Sequence, residues 1–189
     1  FLWLEDAVGS LLFERLLLAA DKGVRVRLLV DDSFLAGEDS VLLAIDEHPN
    51  ISVRIFNPFS KRTASMSIRY VENLNDFSRT NHRMHNKLLI ADTSVAVVGG
   101  RNIANEYFGF GRPMNFRDFD LVTTGSIVPA LADGFDTFWN SGWAFPIPEV
   151  DHQYADDTDL IRLRQDLRAL ASELDAWQIA TGSQPGDWS

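Results

Sequence analysis

No cysteine occurs among the 189 residues. A disulfide framework, a thiolate nucleophile and any Cys-ligated zinc are thereby excluded. No apolar run approaches the ~20 residues that a membrane-spanning helix needs. The first residue is Phe1 rather than Met, which predicts an excised part of a longer protein and leaves any signal or anchor of that parent open. Positive charge is scarce: 17 Lys and Arg stand against 27 Asp and Glu, a formal net charge of −10. That balance argues against general binding to nucleic acid, where a basic face supplies most of the affinity. What is present suffices for one ordinary domain, since 46% apolar residues can build a sizeable core.

The charge is uneven. Residues 60–87 carry six cations against two acids, a local +4, whereas 149–189 carry nine acids against three arginines, −6. A basic stretch alone reads as a solvated loop. This one leads straight into the most polar strand region of the chain, which makes it a candidate anion-attracting rim.

Along the chain, Phe1 to Leu4 read as the end of a strand. Leu11, Leu12, Leu16 and Ala19 recur at helical spacing within a helix from about Val8 to Lys22, with Gly23 as its stop. Val24 to Val30 form a nearly all-apolar strand, suited to a sheet covered on both faces. The Asp31-Asp32 pair at its end could in principle bind a metal. Nothing nearby completes such a site, so it reads as a turn and helix cap. A helix from Asp39 or Ser40 to about Glu47 and a strand from Ile51 to Phe56 follow. Strand, helix, strand, helix, strand predicts an α/β fold: a mixed, mainly parallel sheet flanked by helices on both faces.

Residues 60–82 read as a long excursion, with a short helix near Ser65 to Val71. Phe116 to Val122 form a further strand. Ile127 to Asn140 form a helix whose stripe of Leu131, Phe135, Phe138 and Trp139 reads as core packing rather than an aromatic cofactor box. Pro146 and Pro148 mark a break, dividing the chain into a domain at 1–148 and a segment at 149–189. The latter holds an amphipathic helix from Thr158 to Trp177, expected to pack on the domain or connect to a missing half. Its last residues, rich in Gly, Ser and Pro, are expected to fray.

The stretch with the densest chemistry is His85-Asn86-Lys87-Leu88-Leu89-Ile90-Ala91-Asp92, followed by Gly99-Gly100-Arg101-Asn102. Leu88 to Ile90 and Val95 to Val98 read as two strands joined by a turn at Asp92-Thr93-Ser94. His85 and Lys87 project from one strand face, and the chain then leaves through a glycine pair to reach Asn102. A histidine beside a carboxylate and a cation can attack phosphorus. The carboxylate holds one ring nitrogen as a donor, which leaves the lone pair of the other free. Fixed positive charge and amide donors stabilise the equatorial oxygens of the transition state. Lys87 and Asn102 supply those contacts. Asp118 and Asp120 share a strand face, and periodicity alone does not choose which supports His85. The bland alternative is a surface histidine with Asn102 capping a helix; it accounts for single residues but not for the constellation.

The spacing H-x-K-x4-D-x6-G-G-x-N resembles the HKD motif of the phospholipase D superfamily. The likeness extends over roughly residues 1 to 145, through Gly23 to Asp32, Arg83-Met84, Glu106 to Gly109 and Asn115 to Asp118, and is nearest to the bacterial cardiolipin synthases. It implies a phospholipase D-like α/β/α sandwich and a phosphatidyltransferase that works through a covalent phosphohistidine, without metal or other cofactor. His85 is then the nucleophile or its acid partner, Lys87 and Asn102 bind phosphoryl oxygens, and Asp118 orients His85. Arg83, Gly99 and Gly100 stand as substrate-binding positions, and Asp92 as mainly structural.

The superfamily's active site takes two such motifs, and this chain has one. His48, His82 and His152 lack the accompanying pattern, although His82 could line the pocket. The resemblance therefore implies a partner: a second HKD half from the same parent chain, or a second copy. It further implies a phospholipid substrate and a membrane surface for the parent, on the cytoplasmic face of a bacterial inner membrane, with this part soluble. Two rivals remain. One is a homodimeric phosphodiesterase of the same superfamily acting on nucleic acid; the other is a non-catalytic module that binds phosphate or lipid.

Overall fold

The computed structural model describes residues 3, 6–35, 39–62, 68, 71, 79, 81–110, 114–151 and 154–181, without the side chains of 34 and 174–181. Helix α1 (Ala7–Asp21) begins where Asp6 accepts the amide of Gly9 at 3.0 Å. It stops before Gly23, whose φ of +88° is a backbone state that suits glycine. Its buried seam is Phe13, Leu17 and Ala20, with Leu12 and Leu16 half-buried beside it. The expected stripe is thus rotated by one position. So much of this helix is apolar that spacing alone admits two neighbouring seams.

Strand β1 (Val26–Asp31) pairs in parallel with β2 (Ile51–Phe56), and helix α2 (Asp39–Asp46) lies in the crossover between them. Alternation decides what each face meets. Leu28, Val30, Val53 and Ile55 enter one core with residues of α1 and α2. Leu29 and Phe56 enter a second cluster with Met84, Ala144 and the aromatic residues of helix α3 (Ile127–Trp139). Helices therefore cover both faces of the parallel pair. A short strand β6 (Ala144–Pro146) adds to the other side of β2 in antiparallel sense and runs into helix α4 (Ile147–Val150), whose Ile147 is fully buried.

The motif region forms a second sheet. Strands β3 (Lys87–Ala91), β4 (Val95–Gly99) and β5 (Asp120–Thr124) pair antiparallel, in that order. The α/β class stands, with a correction to its pairing. Among the strand ladders of the described residues β1–β2 is parallel and the other three are antiparallel, and an isolated parallel bridge joins Trp3 to Ile103. A parallel return needs a crossover of a dozen or more residues, and the short turn between β3 and β4 cannot supply one. The strand expected from Phe116 begins only at Asp120. Before that point the backbone is bonded elsewhere: the amide of Phe116 to the carbonyl of Glu106 at 2.8 Å, and that of Phe119 to the carboxylate of Asp118 at 2.7 Å.

Helix α5 (Asp157–Thr181) packs on α1 and α2, with Leu160 and Leu167 buried in their core. Arg164 clamps both carboxylate oxygens of Asp21 at 2.8 Å. Asp21 also meets Nε2 of the buried His48 at 3.2 Å, while Nδ1 of that ring accepts the amide of Asn50 at 3.1 Å. His48 is accordingly a structural residue. The helix expected near Ser65 to Val71, and His152, lie outside the described residues apart from Ile68 and Val71.

Candidate active site

The site is assembled at the end of β3 where the chain enters the sheet. Met84 fixes that entry twice: its side chain is buried against Leu29, Phe56, Trp139 and Ala144, and its amide donates to Asp31 at 2.7 Å. His85 and Asn86 then emerge exposed, and Lys87 is half-buried at the first position of β3. Lys87 donates from Nζ to the carbonyl of His85 at 2.8 Å. Burial pushes the Lys87 ammonium below its ordinary pKa, and the charges of Asp118 and Asp31 partly offset that.

Register places the rest beside it. Lys87 stands opposite Gly99, and Gly99 opposite Asp120. A Cβ on Gly99 would lie 2.0 Å from Oδ1 of Asp120 and 2.7 Å from the carbonyl of Phe119. One on Gly100 would lie 2.5 Å and 2.7 Å from the two carboxylate oxygens of Asp118. The glycine pair is thus the space into which two carboxylates fold.

Those carboxylates differ. Asp120 is held by Nε of Arg101 at 2.6 Å, and Arg101 also reaches the carbonyls of Tyr107 and Asp118. Asp118 is exposed, is engaged by no cation at salt-bridge distance among the described residues, and acts on Lys87 through its charge. The two acids that periodicity left equivalent are therefore separated by one guanidinium. Asp118 is not hydrogen-bonded to His85. Asn102, half-buried, donates from Nδ2 to the phenol oxygen of Tyr107 at 3.0 Å.

Other expected positions lie further out. Asp92 occupies the hairpin turn with Thr93, at φ of +49° and +54°, about 16 Å from Lys87 along a strand rising ~3.3 Å per residue. Arg83 directs its guanidinium inward, to the carbonyl of Asn57 at 3.1 Å, to Asp31 at 3.4 Å and over the ring of Phe59. His82 is exposed and stacks on Trp143 with centroids 5.4 Å apart.

Of the expected basic rim, Arg62, Arg79 and Arg83 are turned inward, Lys61 is exposed and Arg69 lies outside the described residues. Arg62 pairs with the fully buried Asp32 and with Asp39. Burial alone would lower its pKa, yet the two carboxylates raise it above the ordinary value. Arg79 bonds Asn57, the carbonyl of Pro58 and Ser60 at 2.8 to 2.9 Å. Residue counts cannot see these internal partners. Sequence reasoning also missed Arg101 and Tyr107 inside the matched segment, and Asp31 as anything beyond a turn. Among the described residues no three His, Cys, Asp or Glu side chains converge as a metal site, and none of the helices there is long and apolar enough to cross a membrane.

Residues 7–139 match the family model described as "Cardiolipin synthase, PLD-like domain". The chain belongs to this family. Cardiolipin synthase C of Escherichia coli K12 is 45% identical over 150 residues, covering 79% of this chain and 31% of that protein. Cardiolipin synthase 1 of Staphylococcus aureus MRSA252 is 31% identical over 150 residues, covering 79% and 28%. An uncharacterised Helicobacter pylori J99 protein is 35% identical over 147 residues, covering 78% and 29%. The chain thus spans about three tenths of the length of these relatives. No solved structure matches it. The family match contains His85, Lys87, Gly99, Gly100, Asn102 and Asp118 within its span.

Proposed function

We propose that the chain is half of a metal-independent phosphatidyltransferase of the cardiolipin synthase and phospholipase D type. The observation that carries this reading is the register that sets Lys87, Gly99 and the Asp118–Asp120 segment side by side next to an exposed His85. In the proposed reaction a ring nitrogen of His85 attacks the phosphorus of a phospholipid diester. A P–N bond forms as the P–O bond to the leaving alcohol breaks, and an acid on the opposite wall protonates that oxygen. An acceptor alcohol, giving its proton to the same group on the opposite wall, then attacks phosphorus; the new P–O bond forms as the P–N bond breaks and frees the imidazole. Lys87 and Asn102 face the equatorial oxygens, and Asp118 swings from Gly100 onto His85 to hold its ring. Arg83 contributes through the shape of the entry, and the amides of Gly99 and Gly100 line the phosphate side.

The openness of the site supports the half-enzyme reading. His85 and Asp118 stand on exposed surface, whereas phosphoryl transfer to an alcohol rather than to bulk solvent needs an enclosed site. On the face of β3–β5 shared with Lys87, Leu89 is 44% and Val122 71% exposed. A second HKD half fits there.

The deciding experiment measures phosphatidyl exchange by the longer protein that contains this chain. His85→Ala should lower turnover by roughly a thousandfold or more, as loss of a covalent nucleophile does, and EDTA should leave the unaltered protein's rate unchanged. Retained turnover in His85→Ala removes that residue from the chemistry. Cleavage of DNA by a dimer of the chain alone would favour the nuclease reading instead, and the inward-turned arginines speak against it.

A further inference from the structure

Asp31 lies at the carboxyl end of β1, far from His85 in sequence and absent from the motif. Its partners are the notable feature. One carboxylate oxygen accepts the amide of Met84 at 2.7 Å; the other accepts the amide of Ser33 at 2.9 Å and its hydroxyl, and meets Nη1 of Arg83 at 3.4 Å. The residue is 7% exposed. Its neighbour Asp32 turns to the other side, to the amide of Phe59 at 2.6 Å and to Arg62. One acid of the pair therefore holds the start of the excursion after β2, and the other holds the chain where it enters β3.

We propose that Asp31 is the positioning residue of the candidate site: it fixes the backbone at Met84 so that His85 and Lys87 enter the sheet in the geometry that phosphoryl transfer needs. The inference rests on the functional reading above. Its physical basis is that Met84 is the last buried residue before His85, so its N–H is a donor that would be costly to leave unpaired. A carboxylate is the acceptor suited to take that amide, a serine and a guanidinium together. The charge of Asp31 also acts on Lys87 in the direction that keeps the ammonium protonated. Asp31 thus links β1 to both polar residues that open the motif without touching the substrate.

Asp31→Ala removes both acceptor and charge; Asp31→Asn keeps a carbonyl oxygen for Met84 but loses the charge. In the longer protein, Asp31→Ala should lower kcat about 10- to 100-fold with KM within about twofold, the signature of misplaced groups rather than lost binding. Asp31→Asn should recover part of that loss. In the chain itself, NMR should show the Met84 amide exchanging at least about tenfold faster in Asp31→Ala, with the His85 ring signals displaced. Asp32→Asn, an equally buried neighbour, should reduce thermal stability and leave both signals in place. The idea is overturned if Asp31→Ala lowers stability alone, with Met84 exchange and the His85 signals unchanged. Should Asp31→Ala not fold, the unaltered chain decides: a slow Met84 amide supports the inference, and one as fast as that of exposed Asn86 ends it. Because the NMR readings need no turnover, an inactive longer protein would defeat the functional reading while still testing Asp31.

Discussion

At the residue scale, the glycine pair shows how one motif does two different jobs. Gly100 faces the end of an exposed, flexible side chain, whereas Gly99 faces a backbone carbonyl as well as Asp120. Gly100→Ala should therefore cost little stability, under about 1 kcal/mol, since Asp118 can swing away. Gly99→Ala has to move β5 and should cost on the order of 1–3 kcal/mol. Urea unfolding of the two variants checks the contrast, and equal losses would refute it. Because the proposed reaction already has Asp118 leave Gly100 for His85, the milder variant should also keep most of its turnover in the longer protein. A large loss there would mean that Asp118 acts from its place over Gly100. The spacing of the two glycines was legible in the sequence; the carboxylates folded over them were not, because a cross-strand contact depends on register.

At the element scale, α5 is held by a clamp whose pH dependence is defined. The hydrogen bonds from Arg164 lower the pKa of Asp21 from 3.8 to about 2, with burial opposing them and His48 adding to the lowering. A depressed carboxylate pKa contributes stability that is present above the unfolded value and is lost as pH falls through the folded one. The Asp21 side chain is 40% exposed, so solvent screening leaves a contribution of about 1 kcal/mol. Asp21→Ala should accordingly destabilise the chain by that amount at pH 7, with the difference fading between about pH 4 and pH 2. Denaturant melts across that range test it, and a pH-independent difference would assign the loss to packing. The leucine spacing of α5 announced an amphipathic helix. Which partner it chose, α1 and α2, came from Asp21, itself bonded to His48, meeting Arg164 across more than 100 residues of chain.

At the scale of the whole molecule, the proposal of a second half makes a prediction about the face of β3–β5 that carries Leu89 and Val122. Val122→Asp should leave the chain folded with a melting temperature within about 2 °C of the unaltered one, since the side chain is 71% exposed. In the longer protein the same change should reduce phosphatidyl exchange by an order of magnitude or more, because it places a charge where the second wall would seat. Normal exchange by that variant would put the second half elsewhere.

Much of the fold was legible in the sequence alone. The hydrophobic periods located α1, α2, the β3–β4 hairpin, β2 and α3, because each has a local pattern that only one kind of backbone satisfies. The fixed spacing from His85 to Asn102 pointed to the family that the chain belongs to, since few residue sets place an imidazole, an ammonium and an amide at those intervals. The tertiary structure decided the matters that depend on which distant groups meet. It paired β3, β4 and β5 in antiparallel sense, delayed β5 until Asp120, turned Arg62, Arg79 and Arg83 inward, and separated Asp118 from Asp120 through Arg101. It also kept Asp31 as the cap of the turn that follows β1 and gave it a second role at the entry of the motif. Local pattern determines which backbone each segment adopts and which chemical groups it carries. Burial and charge pairing across the folded chain determine which of those groups are left facing outward.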